Sequence, residues 1–420
     1  MRSVTLPSFL AIHRWPLVVW FSGIGIVFLI RFPVQFVLQR PFLMDFELFR
    51  AIAIRILDGQ GAHLYDPTGS AQSLFKYAPC WALFMIPFGW LSSQTGAIAW
   101  GVLTTAWLLL TCRLADRLCR LMHLRPLPFL AVPAIVLLVR PLLEEFSLGQ
   151  TNLLWGMLVG TGLFFELTHR RWRAAACLAL AISLKLPAML FLVYFAIRKS
   201  WKLVGRTLVL LALINGASAA LLFPADPLAL FRAWLRVLAS SGPDRAFEIG
   251  SQSFLALMGR LLRHDGYGVN LFSLSTSMVT LVAGLCQFIL FGGLVASRRR
   301  LAEPTRTILD GALLAVFMVL FSPTCWVATY TATLFAVIIC LAVFLQSPGI
   351  RRNGSVLVGI LLTVVFSALT SAKVWHALGI RSFRGESYVY LVLMILPLFG
   401  LSLAWTLWRQ RRVLARGAPA

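Results

Sequence analysis

Acidic residues are scarce in this chain, so the position of each one is informative. Only 15 of the 420 residues are Asp or Glu, against 38 Lys and Arg. Four of the acids, Asp45, Glu47, Asp58 and Asp66, lie in one polar segment, residues 37–77. The apolar residues after Asp45 recur at helical spacing, which predicts an amphipathic helix lying on a membrane surface. Its carboxylate either acts as a general base at the mouth of a membrane cavity or only caps the helix.

A single lysine interrupts a second segment that is otherwise apolar. Lys185 stands two residues before Pro187, within residues 174–197. A lysine at membrane depth costs about 2.5–3.5 kcal/mol on insertion scales, so it needs an anionic partner such as a lipid phosphate. The alternative is that it snorkels to the membrane surface. The proline break predicts a re-entrant hairpin of two short helices, which is tolerable where it lines a watery cavity.

Two further polar clusters break apolar runs. Gly149-Gln150-Thr151-Asn152 follows a pair of glutamates and offers amides that can hydrogen-bond sugar hydroxyls, unless it serves only to cap a helix. Ser322-Pro323-Thr324-Cys325-Trp326 separates two apolar segments. It is either part of the same site or just a turn.

Composition decides what kind of molecule must position these groups. Hydrophobic residues make up 59% of the chain and charged residues 13%, whereas soluble domains have about 45–50% and about 25%. This excludes soluble, disordered, collagen-like and coiled-coil proteins. It predicts an all-α polytopic membrane protein, residues 1–420 forming one domain with about 12 transmembrane or re-entrant helices. The seven cysteines form no C-x-x-C pair, so neither a disulfide framework nor a zinc site is indicated.

The net charge of +23 is concentrated in short basic clusters between the apolar runs. This pattern is typical of cytoplasmic loops that obey the positive-inside rule, and nucleic acid is not expected as a partner. The rule places both termini in the cytoplasm and puts residues 37–77 and 224–269 outside. It requires that residues 174–197 begin and end inside, and that residues 78–91 do not cross. The first apolar run, residues 16–36, is interpreted as a retained anchor because no small-residue cleavage site accompanies it.

Together these motifs resemble glycosyltransferase family 87. The resemblance rests on the Asp45 segment with residues 61–66 and 75–79, on the Gly149 motif, and on the Lys-x-Pro hairpin. It also rests on Ser251-Gln252-Ser253 followed by Arg260, and on the Ser-Pro-x-x-Trp box that ends at Trp326. These motifs follow the family order over about residues 45–330.

Three departures from the family pattern stand out. Ala78 replaces a proline of the Tyr-Pro-Pro box, Ser251 replaces an asparagine, and Val327-Ala328-Thr329 lacks a histidine that the family often has. The missing histidine suggests an altered substrate or an inactive relative.

The resemblance implies a GT-C fold in the cytoplasmic (inner) membrane, with the active site facing outward. Members of the family move a hexose, usually mannose, from a polyprenyl-phosphate carrier to a lipid or glycan acceptor, and Asp45 matches their general base. A polyprenyl phosphate is already a good leaving group, so one carboxylate is enough and direct displacement inverts C1. No cofactor is expected. A divalent metal ion is not indicated, although Glu47 near Asp45 could join an ion site as an alternative to being a solvated carboxylate. The rival hypotheses are a non-catalytic lipid transporter, which needs no outward carboxylate, and an inactive scaffold protein.

The candidate site residues are expected to meet in one cavity that is open to the outer leaflet. Lys185 and Arg260 are predicted to bind the donor phosphate. The residues predicted to bind the sugar or the acceptor are Glu47, Tyr65, Tyr77, Gln150, Asn152, Gln252 and Trp326.

Overall fold

The computed structural model describes residues 43–67, 74–125, 130–240, 243–264, 270–296, 301–382 and 388–417. Within these ranges all regular secondary structure is helical. The predicted first span, residues 16–36, lies outside them. The α-helices are α1 Met44–Leu57, α2 Pro79–Gly89, α3 Ser93–Leu121, α4 Ala131–Leu137, α5 Val139–Leu148, α6 Asn152–Leu167, α7 Arg171–Leu184, α8 Met189–Ile197, α9 Trp201–Leu222, α10 Pro227–Ser240, α11 Pro243–Ala246, α12 Phe254–Leu262, α13 Thr276–Ala296, α14 Thr305–Leu320, α15 Leu334–Gln346, α16 Pro348–Arg351, α17 Gly354–Leu369, α18 Ala372–Ala377, α19 Val389–Val392 and α20 Ile395–Gly417. Short 3₁₀ helices cover Gly61–His63, Leu186–Ala188 and Val327–Thr333.

Four helical segments of the described ranges are long and apolar enough to cross a membrane. They are Ser93–Leu121, Trp201–Leu222, Thr276–Ala296 and Val327–Gln346, the last combining a 3₁₀ turn with α15. Shorter apolar helices accompany them at Pro79–Gly89, Asn152–Leu167, Leu186–Ile197 and Gly354–Leu369. The structure therefore has the apolar helices of an all-helical membrane protein. The GT-C fold and the count of about 12 spanning or re-entrant helices remain predictions.

The span predicted at residues 126–139 differs from the helices that form there. The described part is the seven-residue α4, which ends at Leu137, and α5 starts at Val139 after the non-helical Leu138. Pro141 explains the break, because it has no N–H for the Leu137 carbonyl and its ring would clash with that carbonyl in a continuous helix. Neither α4 nor α5 alone is long enough to cross a bilayer.

The break predicted at Lys185 is present. α7 ends at Leu184, Lys185 is extended, and a 3₁₀ turn containing Pro187 leads into α8. Arg171 and Arg198, at the outer ends of the two arms, both lie close enough to interact with the carboxylate of Glu166. The start of α7 and the end of α8 therefore lie near one another, and Lys185 stands in the sequence between the two helices.

Basic side chains gather at the same end of the helices. The Arg117 guanidinium lies 5.7 Å from the centre of the Phe164 ring, and that of Arg206 lies 4.8 Å from the centre of the Trp172 ring. Further contacts at this end are Arg198 with Thr307 and Glu303, Arg306 with Glu303, and the buried ion pair between Arg411 of α20 and Asp310 of α14. We call this end the basic face. The segment around Asp45 lies at the opposite ends of these helices.

Candidate active site

Helix α1 is fixed by its aromatic face, and this fixes Asp45. Phe46 and Phe49 are fully buried, and their rings lie 5.4 Å from that of Trp100. Burying such a side chain stabilises the packing by about 1.5–3 kcal/mol. The predicted amphipathic helix is therefore present, but its apolar face packs on other helices of the protein. Asp45, on the other side, faces a cavity.

A glycine turn brings an amide to the Asp45 carboxylate. Gly149 ends α5 with φ of +73°, a conformation that favours glycine. A Cβ at this position would lie 2.8 Å from the Cβ of Phe46, so α1 and the turn are in close contact. The next residue, Gln150, donates a short hydrogen bond from Nε2 to Oδ2 of Asp45.

The hydrogen-bond chain continues from this turn to the hairpin. Asn152 donates from Nδ2 to Oε1 of Gln150 at 3.3 Å and to Oε2 of Glu145 at 2.7 Å. Its Oδ1 accepts a short hydrogen bond from the ammonium of Lys185. Glu145 also accepts hydrogen bonds from the Leu153 amide and the Thr331 hydroxyl. Asp45 and Lys185 are thus joined by an amide bridge, which we call the Asp45–Lys185 network.

Both ends of this network open into a cavity of about 1300 Å³. Its polar end is lined by side chains that include Asp45, Tyr77, Gln150, Lys185 and Trp326. Its apolar end is a groove between α8 and α13. The groove residues are Leu186, Met189, Leu190, Val193 and Ile197 on one side and Gly284, Gln287, Phe288, Phe291, Gly292, Val295 and Ala296 on the other.

Burial changes the pKa values of two carboxyl groups in the site, those of Asp45 and Glu145. It raises the pKa of Asp45 above its ordinary value, while the Gln150 hydrogen bond and the positive charges of Lys185 and Lys76 oppose the rise. A raised pKa makes an ionised carboxylate a better proton acceptor. Burial also raises the pKa of Glu145 to about 7, against the hydrogen bonds that it accepts and the nearby Lys185.

The Trp326 ring packs so closely against the backbone at Gly250 that no side chain fits there. A Cβ on Gly250 would lie only 2.1 Å from Cζ3 of the Trp326 ring. The indole is nevertheless 41% exposed and lines the cavity. An aromatic ring held in this way offers a free surface to a ligand. At the position of the missing histidine, Thr329 lines the cavity, and its hydroxyl accepts a hydrogen bond from the Trp326 amide at 3.1 Å.

Two residues of the Gln-Ser motif do not reach the cavity wall. Gln252 is fully buried, and its Nε2 donates to the Leu391 carbonyl at 3.1 Å. Arg260 is 2% exposed, and its Nη1 lies 3.5 Å from the Phe247 carbonyl. Both side chains satisfy the backbone around the loop, because buried carbonyl groups need donors.

Three more candidates also lie off the cavity wall. Glu47 pairs with Arg50 at 3.1 Å and accepts a short hydrogen bond from Ser93. The Tyr65 hydroxyl donates to the Tyr77 carbonyl at 3.0 Å, which fixes the loop that carries Tyr77. Asn152 is fully buried and holds its neighbours within the Asp45–Lys185 network.

The structure brings four residues to the site that were not predicted from the sequence, namely Lys76, Glu145, Arg245 and Gly250. Glu145 carried a signal, as an acid before the Gly149 turn, but sequence alone does not show which glutamate faces inward. Glu144 pairs instead with Arg140 at 2.9 Å, one helical turn away. Arg245 carried no signal, because an arginine in an external loop is ordinarily solvated. The described residues contain no group of three His, Cys, Asp or Glu side chains placed to hold a metal ion.

Comparison with known proteins gives the family. The model of glycosyltransferase family 87 matches residues 75–323, more than half of the chain. The chain belongs to glycosyltransferase family 87. The predicted resemblance is thus confirmed. For this family 87 member, the matched range includes Lys185 and Arg245 but begins after Asp45.

Two mycobacterial proteins are similar to it. Both are named polyprenol-phosphate-mannose-dependent alpha-(1-2)-phosphatidylinositol mannoside mannosyltransferase. The one from Mycobacterium tuberculosis is 26% identical over 404 residues, which cover 90% of each chain. The one from Mycolicibacterium smegmatis is 27% identical over 187 residues, covering 40% of this chain and 41% of its own.

Proposed function

We propose that this family 87 chain transfers a hexose, mannose in the first instance, from a polyprenyl-phosphate carrier to a hydroxyl group of a lipid or glycan acceptor. The observation that carries the proposal is a half-buried carboxylate, Asp45, at the polar end of a cavity whose other end is an apolar groove. The mycobacterial relatives supply the choice of sugar and carrier, because their names specify polyprenol-phosphate-mannose.

The proposed reaction is a single displacement at C1 of the sugar. The acceptor oxygen attacks C1 while the bond from C1 to the phosphate oxygen breaks, and its electron pair stays on the phosphate. Asp45 takes the acceptor proton, for which its raised pKa suits it once ionised. The attack comes opposite the departing phosphate, so the configuration at C1 inverts. The leaving phosphate needs no protonation, and one carboxylate therefore suffices.

The groove between α8 and α13 suits the carrier chain. Its walls are almost entirely apolar, and it joins the chamber that holds Asp45. The outer side of α13 is exposed and apolar, with Leu285 54% and Ile289 68% exposed, as expected for a helix that faces lipid. A carrier lying in the groove would bring its phosphate and sugar to the polar end.

The basic face supports an active site outside the cytoplasm. Arginine clusters mark the cytoplasmic ends of membrane helices, and here they gather at the ends opposite to Asp45. We propose on this basis that the protein lies in the cytoplasmic membrane, with the basic face inside and the cavity open to the outer leaflet.

A transfer assay with the purified protein tests the proposal. Radiolabelled polyprenyl-phosphate-mannose and a total lipid extract are expected to give labelled glycolipid. Asp45→Asn keeps the shape and hydrogen bonding of the side chain but removes the base, so the rate should fall about 10²–10⁴-fold. Asp58→Asn, an exposed carboxylate at the other end of α1, is the matched control and should keep the wild-type rate.

The outcomes separate the rival roles. An Asp45→Asn variant that transfers sugar at nearly the wild-type rate would exclude Asp45 as the base. A variant that loses thermal stability as well as activity would indicate a structural role for Asp45. Binding of the donor by the wild-type protein without any transfer would favour a transporter or an inactive relative.

A further inference from the structure

Three cationic groups and two carboxylates line the cavity within the described residues. Three of these five groups already have partners within the protein. Glu144 pairs with Arg140, Lys185 sits in the Asp45–Lys185 network beside Glu145, and Asp45 accepts the Gln150 amide. The two that remain are Lys76 and Arg245. Neither makes a hydrogen bond or an ion pair with any part of the chain that the structure describes.

Lys76 is held at the cavity by its backbone. The neighbouring Phe75 is fully buried between the rings of Tyr65 and Tyr77. The Lys76 carbonyl accepts a hydrogen bond from the Trp234 indole at 3.0 Å. The main chain is therefore fixed on both sides, while the half-buried ammonium is left to the cavity.

Arg245 approaches the same place from another segment. It belongs to the short helix α11, which follows α10, and lines the cavity with Trp234 and Leu238 of α10. Burial and next the positive charge of Arg245 lower the pKa of the Lys76 ammonium, while the negative charges of Glu248 and Asp45 oppose this shift without forming an ion pair with it in the described residues. Lys76 is partly buried and Arg245 is exposed, and an anion placed between two such cations relieves their mutual repulsion.

The position of Lys76 and Arg245 limits which anion can bind between them. Lys76 is close enough to Asp45 for each charge to affect the other, so the anion lies beside the proposed base. A carrier whose chain fills the apolar groove and whose sugar meets Asp45 must place its phosphate at this point. During transfer that phosphate changes from a diester with one negative charge to a monoester with up to two, which strengthens its attraction to fixed cations.

We infer that Lys76 and Arg245 form the subsite for the carrier phosphate, with Lys185 as a third charge behind Asp45. This inference rests on the proposed function for the identity of the lipid. It assigns to two external-loop residues the contact that the sequence motif assigned to Arg260, whose side chain is buried at the Phe247 carbonyl.

Binding of farnesyl phosphate to the purified full-length protein tests the subsite without requiring transfer. Charged hydrogen bonds contribute about 1.5–3 kcal/mol each, so Lys76→Gln and Arg245→Gln should each weaken binding about ten- to hundredfold. Binding of farnesol, which lacks the phosphate, should not change. Lys76→Arg keeps the charge and should retain most of the affinity. Arg236→Gln on α10 and Lys373→Gln remove exposed cations away from the cavity and should have no effect.

Every outcome bears on the assignment. Unchanged farnesyl phosphate affinity in the folded Gln variants would overturn it. The assignment would also be overturned if the Gln variants lost phosphatidylinositol binding but kept farnesyl phosphate binding. Lys76 and Arg245 would then hold a diacyl lipid and not the carrier. A melting temperature matching the wild type shows that a loss of affinity is not a loss of fold. A wild-type protein that binds farnesyl phosphate through this pair but transfers no sugar would sink the proposed function and leave the subsite standing.

Discussion

Gly149 is the residue on which the geometry of the proposed base depends most. Its φ of +73° is one that side chains other than glycine adopt at a cost of about 1–2 kcal/mol. Its missing Cβ is also what allows Phe46, next to Asp45, to contact the turn. Gly59 has nearly the same conformation, φ +74°, but a Cβ there would meet nothing within 4 Å. Comparing substitutions at Gly149 and Gly59 therefore distinguishes the effect of backbone strain from the effect of disturbing the contact with Phe46.

We expect Gly149→Ala to reduce the transfer rate much more than Gly59→Ala. Both variants carry similar backbone strain, so both should lose a similar small amount of stability from that source. Only Gly149→Ala must push Phe46 and therefore Asp45 away from Gln150. Steady-state kinetics and thermal melting of both variants provide the check. Equal rates in the two variants would contradict the view that this contact positions the base.

Lys185 has a double task at the residue scale. One of its three ammonium donors is taken by Asn152, and the buried Glu145 lies close behind. A lone buried charge at this place would be strongly destabilising, and the network balances it. Lys185 is therefore held in place before any ligand arrives, which leaves its remaining donors available at the cavity wall.

At the scale of elements, the groove depends on two glycines of α13. Gly284 and Gly292 line it, and a Cβ on either would enter open space. Gly293 is equally open but does not line the groove. A larger side chain at the first two positions would fill the space proposed for the carrier chain, while the third would only face outward.

Gly284→Leu and Gly292→Leu should therefore raise the KM for a long-chain donor about tenfold, equivalent to about 1.4 kcal/mol. Gly293→Leu, with the same change in helix propensity, should leave that KM unchanged. With progressively shorter donor chains the KM values of the three variants should converge, because a short chain does not reach the part of the groove that the leucine fills. A KM shift that is the same for all three variants would assign the carrier chain to another surface.

How far the sequence predicts each element depends on local chemistry. Pro187, two residues after Lys185, predicts the helix break between α7 and α8, because proline cannot continue a helix and lysine is costly in an apolar one. The break at α4–α5 was missed because Pro141 follows an apolar run that looks continuous. In the site, the Gly149–Asn152 turn was predictable from residue types. The inward turn of Gln252 and Arg260 was not, because each side chain bonds a backbone carbonyl more than ten residues away, that of Leu391 and that of Phe247.

At the scale of the whole molecule, orientation in the membrane is the property that the proposed function most requires. The donor's sugar must meet Asp45, so the cavity and the carrier's head must lie on one side. The described structure separates the two ends clearly, with the basic face at one and the Asp45–Lys185 network at the other.

Reporter fusions should show this directly. A phosphatase that is active only outside the cytoplasm should be active when fused after Gln60, in the loop segment that follows the Asp45 helix α1. It should be inactive when fused after Arg352, beside the basic face. A cytoplasmic reporter at the same two positions should give the opposite pattern and serves as the control. Cytoplasmic activity at Gln60 would reverse the topology and exclude an outward active site.

The groove between α8 and α13 has a consequence for the rate of the enzyme in a cell. A carrier entering there travels within one leaflet, so enzyme and donor meet by diffusion in two dimensions. The quantity that governs their encounter is then the number of carriers per unit area of leaflet, and the volume of the surrounding fluid does not enter. Any process that enlarges the membrane without making new carriers would slow the enzyme, even when its own amount and the total carrier pool stay constant.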